Sequence, residues 1–142
     1  MIDLINYVTL SFDSYNIIKN KEKLISFIDE LNYEKYHAYL SFGIAEVDLE
    51  TGDFYNTAVL LGPEGYIGKY RKMHQWETEK HWGVDGDLGM PVFATELGNL
   101  AMIICIDASY YEATRLAAVN GADIMLYHTC DSGEAIWALP SR

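Results

Sequence analysis

The sequence predicts an α/β domain in which sheets and helices pack in layers. Two observations carry this prediction. Apolar runs bounded by turn residues predict buried strands, at residues 37–47, 54–61, 100–106 and 123–127. Residues 17–32 have apolar residues at helical spacing, which predicts an amphipathic helix with Leu24, Ile28 and Leu31 on one face. The 142 residues, half of them hydrophobic, are enough for a single domain, 1–142, with its own core.

The turn residues between these segments predict the order of the remaining elements. Acidic residues and glycine at 50–53 separate the first two strands, and Pro63-Glu-Gly65 precedes a short strand at 66–71. Residues 75–89 show no period and predict a loop. Residues 91–96 and 100–106 predict a hairpin that turns at Gly98-Asn99. Ser109 and Glu112 match a capping box at the start of a helix, which Asn120-Gly121 ends.

Composition restricts the partners and the compartment. The chain has 10 basic and 21 acidic residues, a formal charge of -11, which argues against nucleic acid or an anionic membrane surface as partner. No stretch is long and apolar enough to span a membrane, and the first residues lack the basic start of a secretory signal. Two cysteines, Cys105 and Cys130, do not make a disulfide framework, so we expect a reducing cytoplasm.

Cys105 is the first candidate for chemistry. It lies where a predicted strand meets a predicted helix, and the positive end of a helix dipole close by favours the reactive thiolate. This position suits a nucleophile. The alternative is a buried structural cysteine, which is a common role for a free thiol.

Two further segments carry candidate residues. Lys72 belongs to a basic cluster in an otherwise acidic chain, and a positioned ammonium stabilises the oxyanion formed when a nucleophile attacks a carbonyl carbon. The alternative is a solvated basic turn. Glu79 is a candidate general base or a holder of Lys72, and its alternative is a surface loop carboxylate. His74, His81, His128 and Cys130 match no zinc spacing, so we predict no metal site.

Taken together, the motifs resemble the carbon–nitrogen hydrolase (nitrilase) superfamily from about residue 40 to residue 127. They occur in the family's order: Tyr70-Arg-Lys72, Glu79-Lys80, Gly86-Asp87, Ile104-Cys105-Ile-Asp107, Glu112 and Asn120-Gly-Ala-Asp123. The resemblance implies a four-layer αββα sandwich, no metal or organic cofactor, and a catalytic set of cysteine, glutamate and lysine.

The resemblance also implies a role for each matching residue. Cys105 matches the nucleophile, Lys72 the catalytic lysine, and Glu79 a second glutamate that many members place beside the lysine. Glu112 matches a glutamate with a structural role. The implied reaction cleaves a non-peptide carbon–nitrogen bond of a small molecule through a thioester on the cysteine, releasing ammonia or an amine before water hydrolyses the thioester.

The N-terminal part departs from the family pattern. The family's general base is a glutamate in a strand motif ending in Pro-Glu, and residues 1–16 contain no glutamate. The chain also ends soon after the strand at 123–127, so we expect an incomplete sandwich. A fragment is the favoured explanation; an inactive relative serving as a structural or interaction protein, and one half of a split enzyme, are the alternatives. Bare strand edges would promote association, so we expect a homo-oligomer. Without the general base, we expect poor activity of the isolated chain.

The residues around the cysteine indicate a substrate class. Cys105-Ile-Asp107 resembles the amidase and carbamoylase branches, whereas nitrile-cleaving members usually carry Cys-Trp-Glu. Carbamoylases for D-amino acids typically carry two arginines where this chain has Ala108 and Ser109. We therefore expect a small neutral or cationic amide or N-carbamoyl compound, with a nitrile as the second alternative.

Overall fold

A computed structural model describes residues 7–10 and 38–129 of the chain. The predicted helix at 17–32 and Cys130 lie outside the described residues. Within them, seven strands form two sheets, one of order β1-β2-β3-β4 and one of order β5-β6-β7. None of the helices in these two ranges is long and apolar enough to cross a membrane.

The four-stranded sheet is mostly antiparallel. β1 (Tyr7–Leu10) runs parallel to β2 (Tyr39–Val47), and β2 pairs antiparallel with β3 (Phe54–Gly62). β4 (Gly65–Arg71) then pairs antiparallel with β3. The predicted strands at 37–47, 54–61 and 66–71 are thereby confirmed to within one or two residues.

The predicted turn between β2 and β3 is also confirmed. The Asp48 carboxylate accepts hydrogen bonds from the backbone N–H groups of Glu50 (2.9 Å) and Thr51 (3.3 Å). Gly52 has a φ of 80°, which glycine adopts without steric cost. The side chain of Asp48 therefore satisfies the backbone groups that the reversal leaves unpaired.

The three-stranded sheet carries the parallel crossover. β5 (Val92–Thr95) pairs antiparallel with β6 (Gly98–Ile104), and β6 pairs parallel with β7 (Ile124–His128). The helix α1 (Tyr111–Val119) connects β6 to β7. Asn120 ends this helix and Gly121 has a φ of 92°, as predicted.

The turn of the β5–β6 hairpin was predicted at the wrong residues. Thr95 pairs with Gly98, so Glu96 and Leu97 form the turn, and Gly98-Asn99 begins β6. The Thr95 hydroxyl closes this turn: it donates to the Gly98 carbonyl (2.7 Å) and accepts from the Leu97 N–H (3.1 Å). Gly98 resembles a turn residue because its φ is 114°, but its backbone belongs to the ladder.

The predicted capping box of Ser109 and Glu112 is wrong. A 3₁₀ turn occupies Cys105–Ser109, so Ser109 lies inside that turn and the N-cap of α1 is Tyr110, which makes no side-chain cap hydrogen bond. Glu112 is exposed in the first turn of α1. The helix therefore begins later than the sequence indicates.

The core lies between the two sheets and continues beneath α1. It joins Ala58, Leu60 and Tyr70 of the first sheet to β6, whose residues from Leu100 to Ile104 are all buried. Ala113 and Ala117 of α1 are fully buried, because their small side chains let the helix approach the sheet closely. The end of β6, from which Cys105 continues, is therefore held on both faces.

Candidate active site

Cys105 stands at a sharp corner directly after β6. Its φ is 48°, and it is the only non-glycine residue with a positive φ in the described ranges. Such a conformation costs roughly 1–3 kcal/mol and persists where surrounding contacts enforce it, often at functional sites. The cysteine is partly exposed and packs against the core at its inner side. The thiol is therefore more exposed than in the alternative interpretation, a buried structural cysteine.

Asp107 fixes the corner, which we call the Cys105 turn (Cys105–Ser109). Its carboxylate is fully buried, and Oδ2 accepts hydrogen bonds from the Ile104 N–H (3.1 Å) and the Tyr70 hydroxyl (2.7 Å). Oδ1 accepts from the His74 N–H (3.1 Å) and lies 2.8 Å from His74 Nδ1. A single carboxylate thus joins the Cys105 turn to the end of β4 and to the residues that follow it.

Tyr70 and His74 complete this connection. Burial and the neighbouring Asp107 carboxylate raise the pKa of Tyr70 well above its usual value, so its hydroxyl remains a neutral donor. That hydroxyl also accepts a hydrogen bond from the Met73 N–H (3.1 Å). The His74 ring stacks on Tyr110, with centroids 3.9 Å apart. Residues 70–74 are therefore held against the Cys105 turn from both of its ends.

Lys72 lies within this segment and is fully buried. Its Nζ is 2.5 Å from Oε2 of Glu79. Its backbone is held on both sides, because its N–H donates to the Asn56 carbonyl (2.8 Å) and its carbonyl accepts from the Gly86 N–H (2.8 Å). The alternative of a solvated basic turn is wrong, since a buried ammonium requires a partner of opposite charge.

Glu79 receives more than the ammonium. It begins a short 3₁₀ turn, Glu79–His81, inside the otherwise irregular segment predicted as a loop at 75–89. Oε2 also accepts from the Trp76 N–H (2.6 Å), and Oε1 accepts from the Asn56 side-chain amide (2.7 Å). Three donors thus contact its two oxygens, so the carboxylate is the partner of Lys72 rather than a solvated surface group.

Arg71, the neighbour of Lys72, belongs to a separate ion network. Its buried guanidinium pairs with Glu46 (2.5 Å), Asp48 (3.0 Å) and Asp87 (2.9 Å), and it lies 3.9 Å from the centroid of the Tyr55 ring. Burial alone would raise the pKa of Glu46, but hydrogen bonds from Arg71 and Lys69 lower it to about 2. Glu46 is therefore occupied as a structural carboxylate.

Gly86 brings the far end of the 75–89 loop against β4. A Cβ at this position would lie 2.1 Å from the Arg71 carbonyl oxygen, so no side chain fits without a backbone shift. The Gln75 side chain bridges the two ends of the loop by donating to the Lys72 (3.1 Å) and Val84 (3.0 Å) carbonyls. The loop that carries Glu79 is thus fastened to the strand end that carries Lys72.

The structure therefore brings Lys72 and Glu79 into direct contact and ties their segment to the Cys105 turn through Asp107. The sequence analysis missed the contributions of Asn56, Tyr70 and His74. Asp107 was visible as part of the Cys-x-Asp motif, although its hydrogen bonds were not. Across 7–10 and 38–129, no three His, Cys, Asp or Glu side chains are grouped to hold a metal ion.

Comparison with known proteins gives a family and several relatives. The family model for carbon-nitrogen hydrolases matches residues 15–141. A nitrilase from Pyrococcus abyssi is 42% identical over 90 residues, covering 63% of this chain and 33% of its own length. A formamidase from Bacillus cereus is 41% identical over 110 residues, covering 73% and 32%. The chain spans about a third of the length of these curated relatives.

Solved structures agree on the fold. A carbon–nitrogen hydrolase from Helicobacter pylori matches with a TM-score of 0.73 at 28% identity, covering 87% of this chain and 47% of its own. An amidase from Nesterenkonia sp. matches with a TM-score of 0.70 at 20% identity, covering 92% and 54%. The two packed sheets and their covering helix accordingly belong to an αββα sandwich, the fold that the motifs imply.

Proposed function

The chain belongs to the carbon–nitrogen hydrolase family. We therefore propose that it is part of a hydrolase that cleaves a non-peptide carbon–nitrogen bond, with Cys105 as the nucleophile. One observation carries the proposal: the hydrogen bonds of the Asp107 carboxylate, which we call the Asp107 hub. They connect a strained, partly exposed cysteine to the segment of a buried, ion-paired lysine. A nucleophile and a fixed positive charge are what acyl transfer requires.

The proposed reaction begins with attack of the Cys105 thiolate on the carbon of the scissile bond. The carbonyl oxygen becomes negatively charged, and the Lys72 ammonium stabilises it. The tetrahedral intermediate collapses to a thioester as the nitrogen takes up the proton that the Cys105 thiol released and leaves as ammonia or an amine. Water then hydrolyses the thioester to release the acid and regenerate the thiol.

We assign Glu79 the task of holding the Lys72 ammonium in place. Its Oε2 is occupied by Lys72 and the Trp76 N–H, and its Oε1 by Asn56, which leaves little acceptor capacity for a substrate proton. The family's general base belongs to a Pro-Glu motif, and residues 1–16 contain no glutamate. If the isolated chain nevertheless proves active, another carboxylate must act as the base, and Glu79 is the first candidate to test.

The substrate we propose is a small neutral or cationic amide or N-carbamoyl compound. The formamidase likeness supports an amide, and Ala108 and Ser109 supply no cationic clamp for a substrate carboxylate. The likeness to a nitrilase keeps a nitrile as the second candidate. The candidate from a different class is a non-catalytic structural or interaction protein built on the same fold.

We also propose a homo-oligomer in the reducing cytoplasm. The exposed apolar side chains Tyr111, Leu116 and Val119 of α1 support self-association. The two cysteines, too few for a disulfide framework, support a reducing compartment. Sedimentation velocity of the wild type and of Val119→Lys tests the first part. A monomer at micromolar concentration would contradict it.

Two assays test the catalytic proposal in separate steps. Intact-mass measurement after incubation with an activated ester reports acylation of the nucleophile, and ammonia release from formamide, acetamide, N-carbamoyl compounds and a nitrile reports turnover. We expect Cys105→Ala to abolish both signals and Cys130→Ala, the matched control, to retain them. Acylation that survives in Cys105→Ala would refute the assignment. Acylation of the isolated chain with little turnover would match its expected poor activity, whereas no turnover by a confirmed full-length version would favour the non-catalytic class.

A further inference from the structure

We infer that Asn56 is a positioning residue that orients the Glu79 carboxylate toward Lys72. Asn56 lies in β3, and its backbone and side chain contact different members of the pair. Its carbonyl accepts the Lys72 N–H at 2.8 Å, while its Nδ2 donates to Oε1 of Glu79 at 2.7 Å. One strand residue therefore fixes the distance between the backbone of the lysine and the side chain of its counter-ion.

The contact is needed because Asn56 and Glu79 lie on segments of different rigidity. Asn56 is part of a paired strand, opposite Ala45 of β2, whereas Glu79 lies in the 75–89 loop. The terminal torsion of a glutamate is broad and roughly two-fold, so contacts on Oε2 alone do not fix the plane of the carboxylate. The amide of Asn56 contacts the other oxygen, Oε1, and so couples a loop side chain to the rigid sheet.

An amide suits this position because it donates at every pH. An aspartate has nearly the same shape, but its ionised form cannot donate and would repel Glu79 at hydrogen-bond distance. Two facing carboxylates relieve this repulsion by sharing one proton in acid, and they lose that proton as the pH rises. Asn56→Asp therefore converts a pH-independent contact into one that holds only at acidic pH.

The test compares Asn56→Asp with the wild type and with Asn120→Asp. Asn120 is the matched control, because its Nδ2 also donates one hydrogen bond (2.8 Å), to the Met90 carbonyl, away from the lysine. The urea midpoint and the rate of Cys105 acylation are measured from pH 5 to pH 8.5. We expect the acylation rate of Asn56→Asp to fall on the order of tenfold relative to wild type across this range, with a parallel fall in its midpoint. Asn120→Asp should follow the wild-type profile.

A second variant separates positioning from general damage. In Asn56→Asp combined with Glu79→Gln, an amide again faces a carboxylate, so the extra pH dependence of the urea midpoint should disappear. Asn56→Asp profiles that parallel the wild type in both measurements would overturn the inference. A pH-dependent midpoint with an unchanged acylation profile would also overturn it, since the contact would then be structural only.

The kinetic arm of this inference rests on the proposed function, but the unfolding arm does not. A wild-type protein that is never acylated would refute the proposed function. In that case the urea midpoints of the single and double variants still decide whether Asn56 holds Glu79. An acid-dependent midpoint restored by Glu79→Gln would support the contact, and its absence would overturn it.

Discussion

His74 and Asp107 join the segment of Lys72 to the turn of Cys105, with Nδ1 of the histidine 2.8 Å from Oδ1 of the aspartate. Each lies two residues beyond the candidate catalytic side chain of its own segment. Because Asp107 also accepts from the backbone of Ile104, the contact fixes both the direction of the turn and its distance from β4. The arrangement of the candidate site thus depends on one buried carboxylate.

Asp107→Asn should destabilise the fold and reduce the reactivity of Cys105. The introduced amide would present N–H groups to neighbours that are themselves donors, so at least one buried hydrogen bond is lost and a donor is left unpaired. We expect a loss of about 2–4 kcal/mol in the free energy of unfolding, measured with urea. Asp123→Asn is the control, since exposed Asp123 accepts from the Asn99 N–H (2.8 Å) and its loss should cost under about 1 kcal/mol. Equal losses of unfolding free energy in the two variants would contradict the special role of the Asp107 hydrogen bonds.

Lys72 and Glu79 should show strong energetic coupling. Glu79→Gln leaves a fully buried ammonium without its counter-ion and should cost about 3–5 kcal/mol in unfolding free energy. Lys72→Met leaves a carboxylate that keeps the Trp76 and Asn56 donors, so its cost should be smaller. We expect the double variant to be more stable than the sum of the single losses predicts, and a double-mutant cycle from urea denaturation measures this. Additive losses would show that the ion pair does not form in solution.

Much of the strand framework followed from the sequence because it depends on local patterns. Alternating or continuous apolar runs predicted β2, β3, β4, β6 and β7 to within one or two residues. The β5–β6 turn was misplaced because glycine and asparagine are residue types typical of turns, whereas Gly98 and Asn99 pair with β5 as the first residues of β6. The start of α1 was misplaced because Ser109 fits a capping pattern, whereas contacts from distant residues impose a 3₁₀ turn there.

The candidate site was predictable only where a motif marks it. Cys105, Lys72 and Glu79 were identified from motif order, but Asn56 was not, because its contact with Glu79 joins residues 23 positions apart. The same holds for Tyr70, which reaches Asp107 across 37 positions. Such hydrogen bonds depend on how distant segments of the chain pack in the fold, and no local pattern in the sequence records them.

Gly86→Ala should disturb the loop that carries Glu79. The added Cβ would lie 2.1 Å from the Arg71 carbonyl oxygen, so the backbone must shift and the Gly86 hydrogen bond to Lys72 must lengthen. We expect a loss of at least about 2 kcal/mol in unfolding free energy, together with slower Cys105 acylation. Gly83→Ala is the matched control, because its Cβ would meet ordinary contacts of 3.4 Å or more. If both variants behave alike, the close packing of the loop on β4 is not needed.

His128 should make the fold sensitive to mild acid. It is buried at the end of β7, where Ser41 Oγ lies 2.8 Å from its Nε2, and burial lowers its pKa from 6.5 to about 4. Between these pH values the unfolded state binds more protons than the folded state, so stability falls as the pH drops from 6.5 towards 4. The gap between the two pKa values corresponds to a loss of about 3 kcal/mol in unfolding free energy.

The test replaces the histidine. His128→Gln keeps a polar partner for Ser41 without titrating, so its unfolding free energy should vary less between pH 6.5 and pH 4. His81→Gln, at an exposed position, should keep the wild-type dependence. If His128→Gln and the wild type lose stability equally between pH 6.5 and pH 4, the acid sensitivity originates in other groups.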